Sequence, residues 1–307
     1  MQALHLETPV HQSAAINARL NKNIYFKMDC YQPVGSFKIR GIGALCQKAV
    51  AEGKTRLISS SGGNAGYAAA YSGNQLGVHV TVVVPETTTE TAIQRMKEQN
   101  AEVIVYGKVW NEADAHAREL VAEHNAAYIH PFDNPAIWTG HASMIDETVH
   151  QMGKPDAVVV AVGGGGLMAG VLEGLHENDW QDIPVIAVET EGAASFAASH
   201  QARELVKISE ITSIAKTLGA LEVTSVLVDW LDKHPIESVI VSDKEAVTAC
   251  LNFADDFRVI VEPACGAALS LIYDNAHTLE NYSSVLMIVC GGAGVTIQQL
   301  LEWQETL

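Results

Sequence analysis

Short apolar runs alternate along the chain with longer amphipathic stretches. The runs predict strands at Arg56–Ser59, Val78–Val84, Val103–Tyr106, Ala157–Val162, Val185–Val188, Ser238–Val241 and Val285–Val289. Between them Gly66–Leu76, Thr89–Asn100, Trp110–Asn125 and Leu167–Leu175 have the length and patterning of helices. Several runs are apolar at nearly every position, which is how strands read when both faces are covered. Strands and helices in alternation then predict an α/β fold: mostly parallel sheet with helices on both faces. No internal repeat, low-complexity tract or long charged tail interrupts the pattern.

Three of the strands run into glycine-rich turns. The first leads through Ser59-Ser60-Ser61-Gly62-Gly63-Asn64-Ala65-Gly66, the second into Gly163-Gly164-Gly165-Gly166-Leu167, and the third into Cys290-Gly291-Gly292. Ligands of open α/β sheets bind beyond the carboxyl ends of strands, where such turns lie, so the three turns suggest one shared crevice. The tetraglycine fits a phosphate: without side chains the backbone approaches closely, and N–H groups at a helix start attract an anion. Which phosphate is open at this level. Gly164-x-Gly166-x-x-Ala169 also satisfies a dinucleotide-binding pattern, with Glu189 placed as a ribose-binding acid. A tight turn with no ligand is the plainer alternative.

A fourth segment is Gly35-Ser36-Phe37-Lys38-Ile39-Arg40-Gly41. A lysine flanked by Phe and Ile between two glycines is placed for desolvation, which makes an amine nucleophilic or basic. Read without its neighbours, the segment is more often an ordinary helix start.

Composition narrows the partners. Of 307 residues 48% are hydrophobic, which is globular composition with ample core. Lys plus Arg is 19 against 36 Asp plus Glu, a net charge of −17. That balance argues against nucleic-acid and anionic-membrane partners, which are bound through positive charge. A small anion held by backbone N–H groups is unaffected. No apolar leader opens the chain and no stretch suits a membrane span. Five scattered cysteines without a CxxC pair suit reduced thiols in a cytoplasm. The twelve histidines show no metal-ligand spacing.

Taken together in order, these motifs resemble the serine/threonine dehydratases, a family of fold type II pyridoxal-phosphate enzymes, and within it the liver-type L-serine dehydratases. The resemblance rests on Ser36-Phe37-Lys38 within Asp29–Gly41, on Ser60–Gly66, on Gly163–Leu167, on Glu262-Pro263-Ala264-Cys265-Gly266 and on Cys290-Gly291-Gly292. It implies two open, mostly parallel sheets with helices on both faces. A small inserted domain is expected at 32–134, with a large cofactor-binding domain from 1–31 and 135–307 and the cofactor in the cleft between them.

The resemblance also implies roles. Lys38 would carry pyridoxal 5'-phosphate covalently and act as the base at the substrate Cα. Phe37 would pack on the cofactor ring and Asn64 would hydrogen-bond its 3′-oxygen. Gly163, Gly164, Gly165, Gly166 and Leu167 would hold the phosphate, and Cys290 would face the pyridine nitrogen. A neutral thiol there makes a weaker electron sink than a carboxylate partner, which suits β-elimination. Ser61, Gly62, Asn64 and Ala65 would bind the substrate carboxylate; capping of the next helix by Ser59–Ser61 is the structural alternative. Racemases of this fold carry a second base, a Ser, at the position of Gly62, and Gly takes no proton. Gly163, Glu189, Ala193, Leu218 and Ala220 match a site for a monovalent cation, K+, although Glu191 departs from the family's apolar residue.

The function so implied is a cytoplasmic, homodimeric L-serine ammonia-lyase that also takes L-threonine. Alternatives are a threonine-preferring deaminase or serine racemase of the same fold, an NAD-dependent dehydrogenase, and a non-catalytic pyridoxal-phosphate-binding regulator. The family's catalytic core uses the whole chain, so an appended amino-acid-sensing domain is not expected.

Overall fold

The structure, a computed structural model, describes residues 2–307. Among these residues ten strands form two sheets. The strands are β1 (Val10–Gln12), β2 (Asn23–Lys27), β3 (Arg56–Ser59), β4 (His79–Val84), β5 (Glu102–Val105), β6 (Ala127–Ile129), β7 (Ala157–Ala161), β8 (Val185–Thr190), β9 (Ile236–Val241) and β10 (Ser284–Ile288). One sheet has the order β1-β2-β10-β7-β8-β9, the other β5-β4-β3-β6. Every pairing is parallel except β1 with β2. This is the α/β architecture with mostly parallel sheets that the apolar pattern predicts.

The chain divides into two compact units. One comprises the residues up to Leu6 together with Gln32–His141; the other comprises Glu7–Tyr31 and Ala142–Leu307. These bounds depart from the expected ones at two places, each for a visible reason. The Gln32 side chain exchanges hydrogen bonds with the Leu6 backbone, accepting at 2.9 Å and donating at 2.8 Å. Leu4 packs on the first unit's core, so the N-terminal residues belong there. Ile137 lies in the same core with Ile39 and Ile42, which takes the first turns of the Pro135–Gln151 helix with it.

In the first unit that helix crosses the Lys38–Ala51 helix at Gly41. A Cβ at Gly41 would stand 2.6 Å from the Ile137 carbonyl and 2.7 Å from the His141 ring. The second glycine of the lysine segment is therefore required by close packing. In the second unit β7 and β8 are buried at every residue. Each fully buried valine of β7 contributes about 1.5–3 kcal/mol. Their continuous apolar sequence follows from lying inside a sheet covered on both faces. No helix among the described residues is long and apolar enough to cross a membrane.

Candidate active site

In the first unit three adjacent parallel strands, β4, β3 and β6, direct their carboxyl ends to the same side. The turn after β3 is Ser60–Gly63, followed by the Asn64–Leu76 helix. Its N-cap is Gly63, without a side-chain capping bond, and Ser61 Oγ instead accepts from Gly63 N at 3.4 Å. Asn64 and Ala65 are buried at the helix start, and Ser61 and Gly62 are half-buried. A Cβ at Gly62 would meet Thr88 Oγ1 at 2.5 Å and its methyl at 2.9 Å. Thr88, just beyond β4, thus fills the space that a side chain at position 62 needs.

A polar network fixes the root of this turn. Ser60 Oγ donates to Asp114 at 2.6 Å and pairs with the Tyr128 hydroxyl at 3.0 Å, and Tyr128 also donates to Asp114. Arg118 Nε donates to the other Asp114 oxygen at 2.8 Å, and its guanidinium lies 4.3 Å over the Tyr128 ring. Burial alone would raise the Asp114 carboxyl; the bonds from Ser60, Tyr128 and Arg118 hold it below its usual range.

Lys38 opens the Lys38–Ala51 helix, with Phe37 as its N-cap. Lys38 Nζ donates to the Pro131 carbonyl at 2.6 Å and lies 5.2 Å from the Phe37 ring centroid. Pro131 sits just past β6, in a turn that His130 organises: its Nδ1 accepts from Asp133 N at 2.7 Å and from Phe132 N at 3.3 Å. Burial pulls His130 down to about 4. On the far side of Phe37, 4.9 Å between centroids, is the fully buried His141. Burial first, then the Lys38 and Arg40 charges, hold His141 well below its ordinary range, so its ring is neutral.

In the second unit the adjacent parallel strands β10, β7 and β8 carry Cys290, Gly163 and Glu189 at or just past their carboxyl ends. The β7 turn begins the Gly166–Glu177 helix, whose first turn has neither an acidic residue nor a side-chain cap. Gly165 is the N-cap at φ +89°, where a Cβ would also stand 2.5 Å from Leu227. Thr224 N ties the loop down by donating to the Gly164 carbonyl at 2.9 Å. A Cβ at Gly163 would lie 3.0 Å from Leu218 Cα and 3.1 Å from the Thr217 carbonyl. The turn is a bare backbone cradle opening on an uncapped helix start, and it fits a phosphate.

Cys290 is buried, and its thiol is pushed far up by its bond to Cys265, then by burial and by Glu262. It is a neutral group, as a partner for an unprotonated ring nitrogen has to be. Glu189 is fully buried and accepts from Phe196 N at 2.8 Å and Ala197 N at 2.7 Å. A carboxylate so enclosed is not placed for a ribose, which removes the main support for the dinucleotide alternative. Burial raises Glu189 to about 7 against the pull of those two N–H groups. Of the other residues matched to a cation site, Leu218 lies against Gly163, and its carbonyl takes Ala220 N at 2.8 Å. Ala193 N is held by the Thr190 carbonyl at 3.0 Å, and Glu191 is exposed.

Sequence reasoning missed Thr88, Asp114, Arg118, Tyr128, His130, Pro131 and His141. Only the Asp114/Arg118 pair, four apart on a predicted helix, left a readable signal.

The model of the family described as pyridoxal-phosphate dependent enzyme matches residues 1–291. A human protein named L-serine dehydratase/L-threonine deaminase is 44% identical over 100% of this chain and 96% of its own length. A Dictyostelium discoideum protein named L-serine dehydratase is 43% identical over 99% of this chain and 93% of its own. Among solved structures, a fungal L-serine ammonia-lyase from Rhizomucor miehei superimposes with a TM-score of 0.94 at 38% identity, covering 99% of both chains. With this match across nearly all its length, the chain belongs to the pyridoxal-phosphate-dependent enzymes.

Proposed function

We propose that the chain is an L-serine ammonia-lyase that also accepts L-threonine, converting L-serine to pyruvate and ammonia and L-threonine to 2-oxobutanoate and ammonia. The observation that carries this is the identity of 43–44%, end to end, with proteins named for that activity. The donor sets of both units suit the cofactor. The glycine turn suits its phosphate, a neutral buried thiol suits an unprotonated ring nitrogen, and Lys38 supplies an amine beside an aromatic ring. When bound, pyridoxal phosphate supplies the electron sink for the pair left at the substrate Cα.

The chain's own residues do the rest. Lys38 would hold the cofactor and take the proton from the substrate Cα, and the Pro131 carbonyl directs its free amine. Phe37 packs on the cofactor ring and Asn64 hydrogen-bonds its 3′-oxygen. Gly163, Gly164, Gly165, Gly166 and Leu167 bind the phosphate through N–H groups, and Cys290 faces the ring nitrogen. Ser61, Gly62, Asn64 and Ala65 hold the substrate carboxylate. With Thr88 against Gly62 there is no room for a second base there, which favours elimination over racemisation. A K+ ion beside the phosphate turn, bound by Glu189 and by the carbonyls of Gly163, Ala193, Leu218 and Ala220, would keep Glu189 ionised. A homodimer and a cytoplasmic location complete the proposal.

The test is product release by the purified, pyridoxal-phosphate-loaded protein in KCl and in a K+-free buffer. Pyruvate from L-serine, faster with K+, is expected, with no D-serine. D-serine as the main product would make it a racemase. Cofactor uptake without pyruvate would make it a binding protein, and NADH binding without visible absorbance would overturn the assignment.

A further inference from the structure

The Glu262-Pro263-Ala264-Cys265-Gly266 motif is the sequence feature to which the proposed reaction gives no task. Glu262 is the N-cap of the Pro263–Tyr273 helix, and its own carbonyl accepts from Cys265 N at 2.8 Å and Gly266 N at 3.0 Å. Proline at the first helical position presets that geometry. With its backbone so fixed, the side chain leads away from the helix into two loops. One carboxylate oxygen accepts from Thr217 Oγ1 at 2.7 Å, and the other from Gly294 N at 3.3 Å. Gly292 has φ +129°, and a Cβ there would stand 2.0 Å from Glu262 Cδ and 2.2 Å from its Cγ. The turn that follows Cys290 is therefore wrapped around this side chain. Thr217 and Leu218 are in turn the residues against which Gly163 packs.

The Glu262 residue is only 5% exposed. Burying a carboxylate is costly, and a fully satisfied buried polar group fixes one geometry against others. The strands β10 and β7 pair directly and so align Cys290 and Gly163 up to the ends of the strands. Beyond those ends the ladder no longer acts, and Glu262 reaches both loops from a third element. We propose that Glu262 is a positioning residue that locks the turn behind Cys290 to the segment behind Gly163, holding the ring end and the phosphate end of the cofactor seat of this unit at a fixed separation. This rests on the assignment of Gly163–Leu167 and Cys290 to the cofactor. A carboxylate is the right group because both oxygens face donors; an amide would turn its NH2 toward one of them. Its charge also helps keep the Cys290 thiol protonated.

The test is a titration of the full-length protein with pyridoxal phosphate, without substrate, read by absorbance and fluorescence. The proteins are wild type, Glu262→Gln, Thr217→Val and the double variant, each checked for folding by circular dichroism. Glu262→Gln should weaken cofactor binding about tenfold and shift the absorbance maximum of the bound cofactor. Thr217→Val, at an exposed residue, should weaken it about threefold, and the double variant should bind no worse than Glu262→Gln, because both remove one link. A folded Glu262→Gln protein with wild-type affinity and spectrum overturns the proposal, as do penalties that multiply in the double variant. If Glu262→Gln does not fold, wild-type affinity in Thr217→Val overturns it. A wild-type protein that takes up no cofactor overturns the assignment of the seat itself, and this inference with it.

Discussion

At Gly62 the proposed preference for elimination over racemisation turns on one missing side chain. The backbone there is not in the left-handed region, so a serine meets no conformational strain; the obstacle is Thr88, whose hydroxyl stands 2.5 Å from the would-be Cβ. Overpacking of this kind costs about 1–3 kcal/mol or displaces the loop. Gly62→Ser should therefore raise KM for L-serine by at least about tenfold, the loss of one well-placed carboxylate bond, and should form no D-serine. Chiral analysis of the product together with steady-state kinetics checks this. D-serine formation with KM unchanged would show that Thr88 yields and that the glycine is incidental.

Among the elements, the glycine turns and the continuously apolar strands were legible because each obeys a local rule. β7 and β8 read as buried strands, and the tetraglycine reads as a cradle, whatever packs around them. The short strands β1, β2 and β6 have mixed or brief sequences and exist because a neighbour pairs with them. The supporting side chains Thr88, Tyr128 and His130 are invisible to any spacing rule, since tertiary contacts alone bring them to the turns. The His130 turn also carries a pH dependence with a definite sign. Burial holds His130 at about 4 when folded, whereas an unfolded histidine titrates near 6.5. Between those values the unfolded chain binds more protons, so stability is fully present above 6.5 and is lost as pH falls toward 4. The loss is no more than about 3 kcal/mol for this group. Asn at 130 keeps an acceptor near the Nδ1 position and does not titrate. Urea midpoints measured from pH 7 to pH 4 should fall less steeply in His130→Asn than in wild type, and parallel curves would contradict the turn's neutral-histidine cap.

For the molecule as a whole, the net charge of −17 and a doubly anionic cofactor are compatible because the phosphate cradle is built of backbone dipoles. In the proposed site Lys38 is the basic residue at the cofactor, and the task proposed for it is covalent. The proposed homodimer predicts a sedimentation mass about twice the chain's 32.9 kDa at micromolar concentration, and a single-chain mass would remove that part of the proposal.

The most direct test of the central claim compares wild type and Lys38→Ala, each incubated with pyridoxal phosphate and L-serine, for pyruvate release. Lys38 is half-buried at a helix start, where alanine is tolerated, so the variant should fold. Wild type should release pyruvate continuously, and the variant should release none above background. Pyruvate release by Lys38→Ala at the wild-type rate would contradict the account.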